Sequence, residues 1–599
     1  MANKTLYTMN LNCRITPIVL ALVFATQLGF GFNESESQDV EILFLQKIPI
    51  RDGIALSATI YKPADQKEAL PAIMTLTPYT ADDYHDKGMF FARNGYVLVT
   101  VDVRGRGDSE GTYEPWVADG KDGYDAVEWI ASQPWCNGQV GMMGGSYRGM
   151  TQWLTHKELP PSLKTIIPTA SAAPGLDFPK YNGIFYSYIT QWLAFTSGNI
   201  GNNNVFRSDH WVKVKFAKMY EEHIPFSQLD SLTGIDGRAF QTWIQHPAFD
   251  DFWKSILPSK NEYKKMNIPV LTITGHYDSD QVGALHYYDQ YMTYASDKAK
   301  SSHFLLIGPW THGGTRRPTI KVGPFEFGEN SVVDILQLHR EWFDWILKDG
   351  EKPSLLKDRV TYYVMGENKW KYANTIEAIS NDNLTFYLTS PDGDANDPFH
   401  AGYLIDQPPR KETPDQLVYD PLENSGEDRD ERLKEVPYHA FLQTLLHDKD
   451  GLYYFSAPLE EEVELSGKIE FTAYIEINTP DTDFEFSIYE ITEKNEVIWL
   501  ANDLIRARYR KSLEKEELVT PGKVEKYVFD GNYLTSRTIG KGSRLRLDFG
   551  YVDAPNMQKN YNSGKDVSYE TADDARTVTI KLHHSKNYLS AIRLPIKRY

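Results

Sequence analysis

One run of six residues constrains the fold of this chain more than any other. Gly144-Gly145-Ser146-Tyr147-Arg148-Gly149 lies between segments of opposite periodicity. Residues 139–143 before it read as a buried strand, and residues 150–156 after it carry helical spacing. A strand that runs through a glycine-flanked serine straight into a helix needs a sharp turn, with small residues beside the serine. Such a turn lifts the hydroxyl above the carboxyl edge of a sheet, where a nucleophile could stand. The same stretch also fits a plain strand-to-helix turn whose serine only caps the helix. The spacing departs from G-x-S-x-G: Arg148 stands where the second glycine belongs, and the glycine arrives one residue later, at Gly149.

The surrounding pattern favours a sheet. Continuous apolar runs at 72–77, 96–101, 163–168, 269–274 and 303–307 alternate with helical spacing at 89–94, 123–132, 285–294 and 333–347. Strands that are apolar throughout, separated by helices, imply a parallel sheet covered on both faces. Between 171 and 263 only helical spacing is found, at 188–193, 212–220 and 239–244, which reads as a helical insertion over the sheet. Beyond 352 the helices stop. Short alternating segments at 360–364, 384–388, 468–476, 484–491, 524–529 and 545–549 predict an all-β sandwich or jelly roll.

A length of 599 residues calls for two or three domains. The formal net charge of −19 argues against nucleic acid and anionic membrane surfaces as partners, since both select a positive face. At the N-terminus an apolar run, 15–32, follows Lys4 and Arg14, is interrupted by Pro17, Thr26 and Gln27, and ends at Gly29-Phe30-Gly31. This predicts a cleaved signal peptide and a periplasmic or secreted protein. Cys13 would leave with the signal, so Cys136 would remain alone and no intramolecular disulfide could form. The segment 390–398 carries Asp392, Asp394, Asn396 and Asp397 but lacks the glycine and the terminal glutamate of a calcium loop, and no metal is assigned to it.

A serine nucleophile needs a base, and the base an orienting acid. Two strand ends supply them. Gly275-His276-Tyr277-Asp278 follows the run 269–274, and Gly308-Pro309-Trp310-Thr311-His312 follows 303–307. The order Ser146, Asp278, His312 is that of an α/β-hydrolase. Asp280 is the rival acid. His276 precedes the acid and is expected to line the substrate pocket rather than act as the base.

These stretches resemble the CocE/NonD type of serine hydrolases, the group of cocaine esterase, X-prolyl dipeptidyl-peptidase and α-amino acid ester hydrolase. Further stretches resemble the group as well: residues 102–111 (DVRGRGDSEG), 133–138 (QPWCNG), 480–484 (PDTDF) and 506–510 (RARYR). The late Gly149 is the group's own form of the turn. The resemblance implies an α/β-hydrolase core in two parts (40–172 and 262–352), a helical cap (173–261), a C-terminal β jelly roll (353–599), and a signal peptide over 1–31. It implies a triad of Ser146, Asp278 and His312, and an oxyanion hole made by the Tyr147 backbone N–H and the Tyr79 hydroxyl. In the α-amino acid ester hydrolases acidic side chains hold the substrate's ammonium. Asp177 and Asp280 fall near two of those positions, while Gln281 falls on the third.

The expected activity is hydrolysis of an ester or amide through an acyl-serine, with no cofactor or metal required. α-Amino acid esters and acylated small molecules are candidate substrates. Release of X-Pro dipeptides is an alternative, and a non-catalytic glycan-binding protein is the alternative of another class. The sequence leaves the oligomeric state open, a homo-oligomer included.

Overall fold

The computed structural model describes residues 39–391, 395–396, 401–410, 413–423, 451–531 and 533–599. The signal peptide expected at 1–31 lies outside the described residues, as do Asp392, Asp394 and Asp397.

The continuous apolar runs form the centre of the first sheet. Strands β1 (Val40–Pro49), β2 (Ala55–Pro63), β3 (Leu70–Thr77), β4 (Val97–Asp102), β5 (Cys136–Gly145) and β6 (Leu163–Thr169) come from the first part of the chain. Every residue of β4 is buried, as is all of β3 after Leu70, which is why neither shows an alternating pattern. After the cap come β7 (Val270–Tyr277) and β8 (His303–Thr311), then β9 (Val360–Val364) and β10 (Lys369–Ala373). The ten strands lie in the order β1-β2-β4-β3-β5-β6-β7-β8-β9-β10. Strands β4 through β9 run parallel, with antiparallel pairs at both edges.

Helices cover both faces. One face packs against α1 (His85–Arg93) and a later amphipathic helix, Ile335–Leu347, through Phe91, Trp342, Phe343 and Leu347. The other packs against α2 (Asp119–Ala131) and α3 (Tyr147–Lys157) through Val127, Ile130, Met150 and Trp153. Burying a side chain of this size contributes roughly 1.5–3 kcal/mol. Trp342 adds a directed contact, donating its indole N–H to the Thr165 hydroxyl at 2.8 Å.

Between β6 and β7 lies the expected cap. Its helices include α4 (Tyr188–Phe195), α5 (Arg238–Ile244) and α6 (Asp251–Ile256), and a π-helical turn, Trp211–Phe216, that runs on into the helix Ala217–Glu221. It also contains a hairpin of two short strands, Lys180–Tyr181 and Ile184–Phe185, which the helical pattern did not suggest. α7 (Gln281–Tyr294) follows β7, and the helix Ile335–Leu347, now α8, follows β8.

The C-terminal part forms a second sheet system of thirteen strands among the described residues, with its own apolar core that includes Phe471, Phe484, Phe486, Phe529 and Phe549. The expected boundary at 352/353 needs correction. Residues 360–364 were assigned to the β domain, but they pair in parallel with β8, and β10 pairs with them. Both strands complete the hydrolase sheet. A short strand's sequence records which of its faces are buried and says nothing of which sheet supplies its neighbour.

Candidate active site

Ser146 stands between β5 and α3 with φ 65° and ψ −129°, a backbone region that a residue with a β-carbon occupies only under constraint. It is partly exposed, whereas its neighbours from Val140 to Met150 are buried. The late glycine has a packing reason. A β-carbon on Gly149 would come within 2.5 Å of Ser171 Oγ and 2.7 Å of the Thr169 carbonyl, so α3 can begin against β6 only with glycine there. Arg148 turns away from that contact, its guanidinium over the rings of Tyr79 (5.1 Å) and Tyr84 (4.3 Å).

Asp278 and His312 meet at the ends of β7 and β8. His312 Nδ1 lies 2.9 Å from Asp278 Oδ1 and 3.6 Å from Asp280 Oδ2. Asp278 is fully buried, and its second oxygen accepts from the Thr274 hydroxyl at 2.8 Å. The Asp280 N–H donates to Asp278 Oδ1 at 3.1 Å. Asp278 is therefore the better-fixed partner of the ring. A proton on Nδ1 shared with Asp278 leaves Nε2 as the basic nitrogen.

Tyr79 ends the loop after β3. Its hydroxyl accepts from Trp192 Nε1 at 3.3 Å. The indole N–H takes up an oxygen lone pair and leaves the phenolic proton to donate. Burial raises the Tyr79 pKa, partly offset by Trp192, the Ser146 side chain and the Arg148 charge, so the phenol keeps its proton at neutral pH. Tyr147 is the first residue of α3, where a backbone N–H has no partner within the helix. Its side chain is occupied elsewhere: the hydroxyl donates to Asp119 at 2.5 Å and accepts from the Trp116 N–H at 2.9 Å.

The cap brings Trp192 to this centre, stacked on Tyr147 with ring centroids 5.8 Å apart. Sequence reading did not single it out, because an aromatic residue at helical spacing looks like ordinary core. Only its neighbour across the fold gives it a role.

Asp177 is buried and accepts from the backbone N–H groups of Ala173 and Gly283, both at 2.7 Å. Burial pushes its pKa well up, and the Asp280 charge adds to this. Burial likewise raises Asp280 to about 6, against the pull of His312. Two carboxylates thus face each other electrostatically beside the triad. Asp177 also lines a cavity with Tyr181, Tyr186, Ser279, Asp503 and Tyr533.

Two neighbouring residues do other work. Gln281 donates to the carbonyls of Gly275 and Leu534, both at 2.9 Å, and accepts from the Leu534 N–H at 2.7 Å. It supports the acid loop against the β domain. His276 does not line the pocket as expected. It is buried, with its ring nitrogens against the carbonyls of Tyr363 (2.8 Å) and Leu534 (3.2 Å). Side chains alternate along β7, and this position packs between β9 of the hydrolase sheet and Leu534 of the β domain.

Asp278, Asp280 and His312 are close enough together to offer a cation three ligand atoms. Their hydrogen bonding already engages two of them with each other, as a triad requires.

Comparison with known proteins identifies the family of the chain. Residues 52–314 match the model of the X-Pro dipeptidyl-peptidase (S15) family, and residues 356–590 that of the X-Pro dipeptidyl-peptidase C-terminal non-catalytic domain. The chain is 26% identical to a cocaine esterase of Rhodococcus sp. (strain MB1 Bresler) over 588 residues, covering 92% of this chain and 97% of that protein. Among solved structures, an aminopeptidase from a marine sediment archaeon (Thaumarchaeota) superposes with a TM-score of 0.79 at 20% identity, covering 96% of this chain and 99% of the other. An α-amino acid ester hydrolase superposes with a TM-score of 0.78 at 22% identity, covering 94% and 97%.

Proposed function

Because the chain belongs to the CocE/NonD-type serine hydrolases of the S15 family, we propose that it cleaves ester or amide acyl bonds through an acyl-Ser146 intermediate. The observation that carries the reading is His312 Nδ1 held 2.9 Å from a fully buried Asp278, beside a serine in a strained turn. His312 Nε2 takes the Ser146 proton as Oγ attacks the carbonyl carbon. The Tyr79 O–H and the Tyr147 N–H donate to the developing oxyanion, each worth about 3–4 kcal/mol of barrier lowering. The imidazolium returns its proton to the leaving alcohol or amine, and water then releases the acyl group by the same steps in reverse.

The acyl group we favour carries an α-amino group. Burial opposes the ionisation of both Asp177 and Asp280, the Asp280 charge adds to it at Asp177 and the Asp278 charge at Asp280, and a substrate ammonium beside them would relieve this. Gln281, turned to Leu534, offers no third charge. Export through the signal at 1–31 belongs to the same proposal, and N-terminal sequencing of the mature protein checks it.

Ser146→Ala tests the mechanism: a fluorophosphonate probe should label the wild type and leave the variant unlabelled. An unlabelled, folded wild type would remove the acyl-enzyme reading. Rates with phenylglycine methyl ester, its deaminated analogue and Ala-Pro-nitroanilide test the substrate. A preference for the amino ester is expected, equal rates with and without the amino group would exclude a role for Asp177 and Asp280, and fastest turnover of the anilide would favour dipeptide release.

A further inference from the structure

Three cations, Arg148, Lys87 and Arg316, stand near the nucleophile, and of the three only Arg148 forms an ion pair among the described residues. Arg148, two residues after Ser146, is buried and gives Nη1 to Asp83 at 2.8 Å, while its Nε has no partner. Lys87 places its ammonium 3.6 Å from the centre of the Tyr84 ring, on which Arg148 also lies. Arg316 is the most unusual of the three. It lies four residues after His312 and fills the space that a side chain on Gly145 would need: a β-carbon there would stand 2.6 Å from Arg316 Nη1. That nitrogen is buried without a hydrogen-bond partner, and the Arg316 guanidinium makes no ion pair among the described residues. Asp278, the acid whose charge it feels most, is already engaged by His312 and Thr274.

A guanidinium partly out of water with no anion is unfavourable, and its planar fork matches a carboxylate in two parallel hydrogen bonds. Position indicates which part of a substrate would bring that carboxylate. The base hands its proton to the leaving group, so the leaving group must lie against the imidazole. Arg316 sits on the same turn, its N–H bonded to the Gly313 carbonyl at 3.2 Å. The function proposed above puts the α-amino group of the acyl part at Asp177 and Asp280.

We propose that Arg316, with Arg148 beside it, binds a carboxylate carried by the leaving group. The preferred substrates are then acyl compounds whose released alcohol or amine is itself an acid. With an α-aminoacyl part, such a substrate is zwitterionic, as a small peptide with a free C-terminus is. The inference rests on the acyl-Ser146 reading. The acyl carbon's bond to the leaving oxygen or nitrogen breaks, its bond to Ser146 Oγ forms, and the Ser146 proton passes through His312 to the leaving atom.

The test compares 3-acetoxybenzoate with 3-acetoxybenzamide, whose leaving phenols are similar in size and shape and differ in charge. It also compares the two free phenols as protectors of Ser146 against the fluorophosphonate probe. The expected result is a preference of about tenfold in kcat/KM for the carboxylate ester and stronger protection by 3-hydroxybenzoate, both weakening as salt is added. Arg316→Gln should bring both ratios close to one, and Arg316→Lys should keep part of them. Equal protection by the two phenols in the wild type, or a preference that survives Arg316→Gln, overturns the proposal. Absence of probe labelling in the wild type fails the acyl-enzyme reading first and takes this inference with it.

Discussion

Trp192 belongs to a cap helix, yet its indole N–H reaches the Tyr79 hydroxyl in the core. The proposed oxyanion donor is thus oriented from outside the sheet that carries the serine. The acid loop shows a similar division of labour between two aspartates two residues apart. Asp278, fully buried and bonded to Thr274, holds the base. Asp280 stands farther from the ring, and burial keeps its carboxyl at about 6. Asp278→Asn is expected to lower kcat by about four orders of magnitude on any substrate, since the ring loses its orienting anion. Asp280→Asn should act on amino-bearing substrates alone. The sign of the pH effect follows from the raised pKa. Above about 6 Asp280 is charged and can hold an ammonium, and below it the carboxyl is neutral. KM for phenylglycine methyl ester should therefore rise as pH falls from 7 to 5, relative to the deaminated ester, and Asp280→Asn should flatten that difference. A pH profile of KM for both esters reads this directly.

Among elements, the stretches 480–484 and 506–510, which resemble the group, overlap the start of the β strand Asp483–Ile491 and the end of the β strand Val497–Arg506. Arg506 forms a two-pronged pair with Asp483, both contacts 2.8 Å, and its remaining nitrogen donates to the Gly183 carbonyl at 2.7 Å. Arg508 pairs with Asp481 at 2.8 Å. Gly183 lies in the turn of the cap hairpin, so one buried guanidinium ties the cap to the β domain. Arg506→Met leaves the Asp483 carboxyl buried without its ion-pair partner, with Asn560 still donating to it at 2.9 Å. The expected loss is about 3–5 kcal/mol of stability, because removing one partner of a buried pair strands the other. Urea denaturation measures it, and Asp483→Leu in the same chain should recover part of the loss. The short hairpin itself was not legible in the sequence. Two-residue strands carry no periodicity, and this one exists because Arg506 and Asp503 receive its backbone and side chains, Tyr181 donating to Asp503 at 2.6 Å.

For the whole molecule, the β domain is a wall of the catalytic centre. Leu534 binds Gln281 through both its N–H and its carbonyl, His276 rests on Leu534 and Tyr363, and the Tyr533 hydroxyl donates to the Ser279 carbonyl at 3.4 Å. The loop that aims Asp278 is therefore held from the far domain. Gln281→Leu takes from the Leu534 N–H its acceptor, at about 1–3 kcal/mol, while the Gly275 carbonyl keeps the Asp278 N–H. It should lower both the denaturation midpoint and kcat on neutral esters, although Gln281 touches no substrate; an unchanged kcat would show that the acid loop stands without the β domain. The sequence by itself determined the parallel sheet, the cap's place, the β domain and the order Ser146, Asp278, His312. Those follow from local periodicity and from residues at strand ends, and both are written along the chain. Only the tertiary structure decided that β9 and β10 close the hydrolase sheet, that His276 packs between β9 and Leu534, that Trp192 serves Tyr79, and that Arg316 meets Gly145 without an anion. Each of these is a contact between segments far apart in sequence, and a residue's type says what it can bond, while the packing of distant segments decides what it meets.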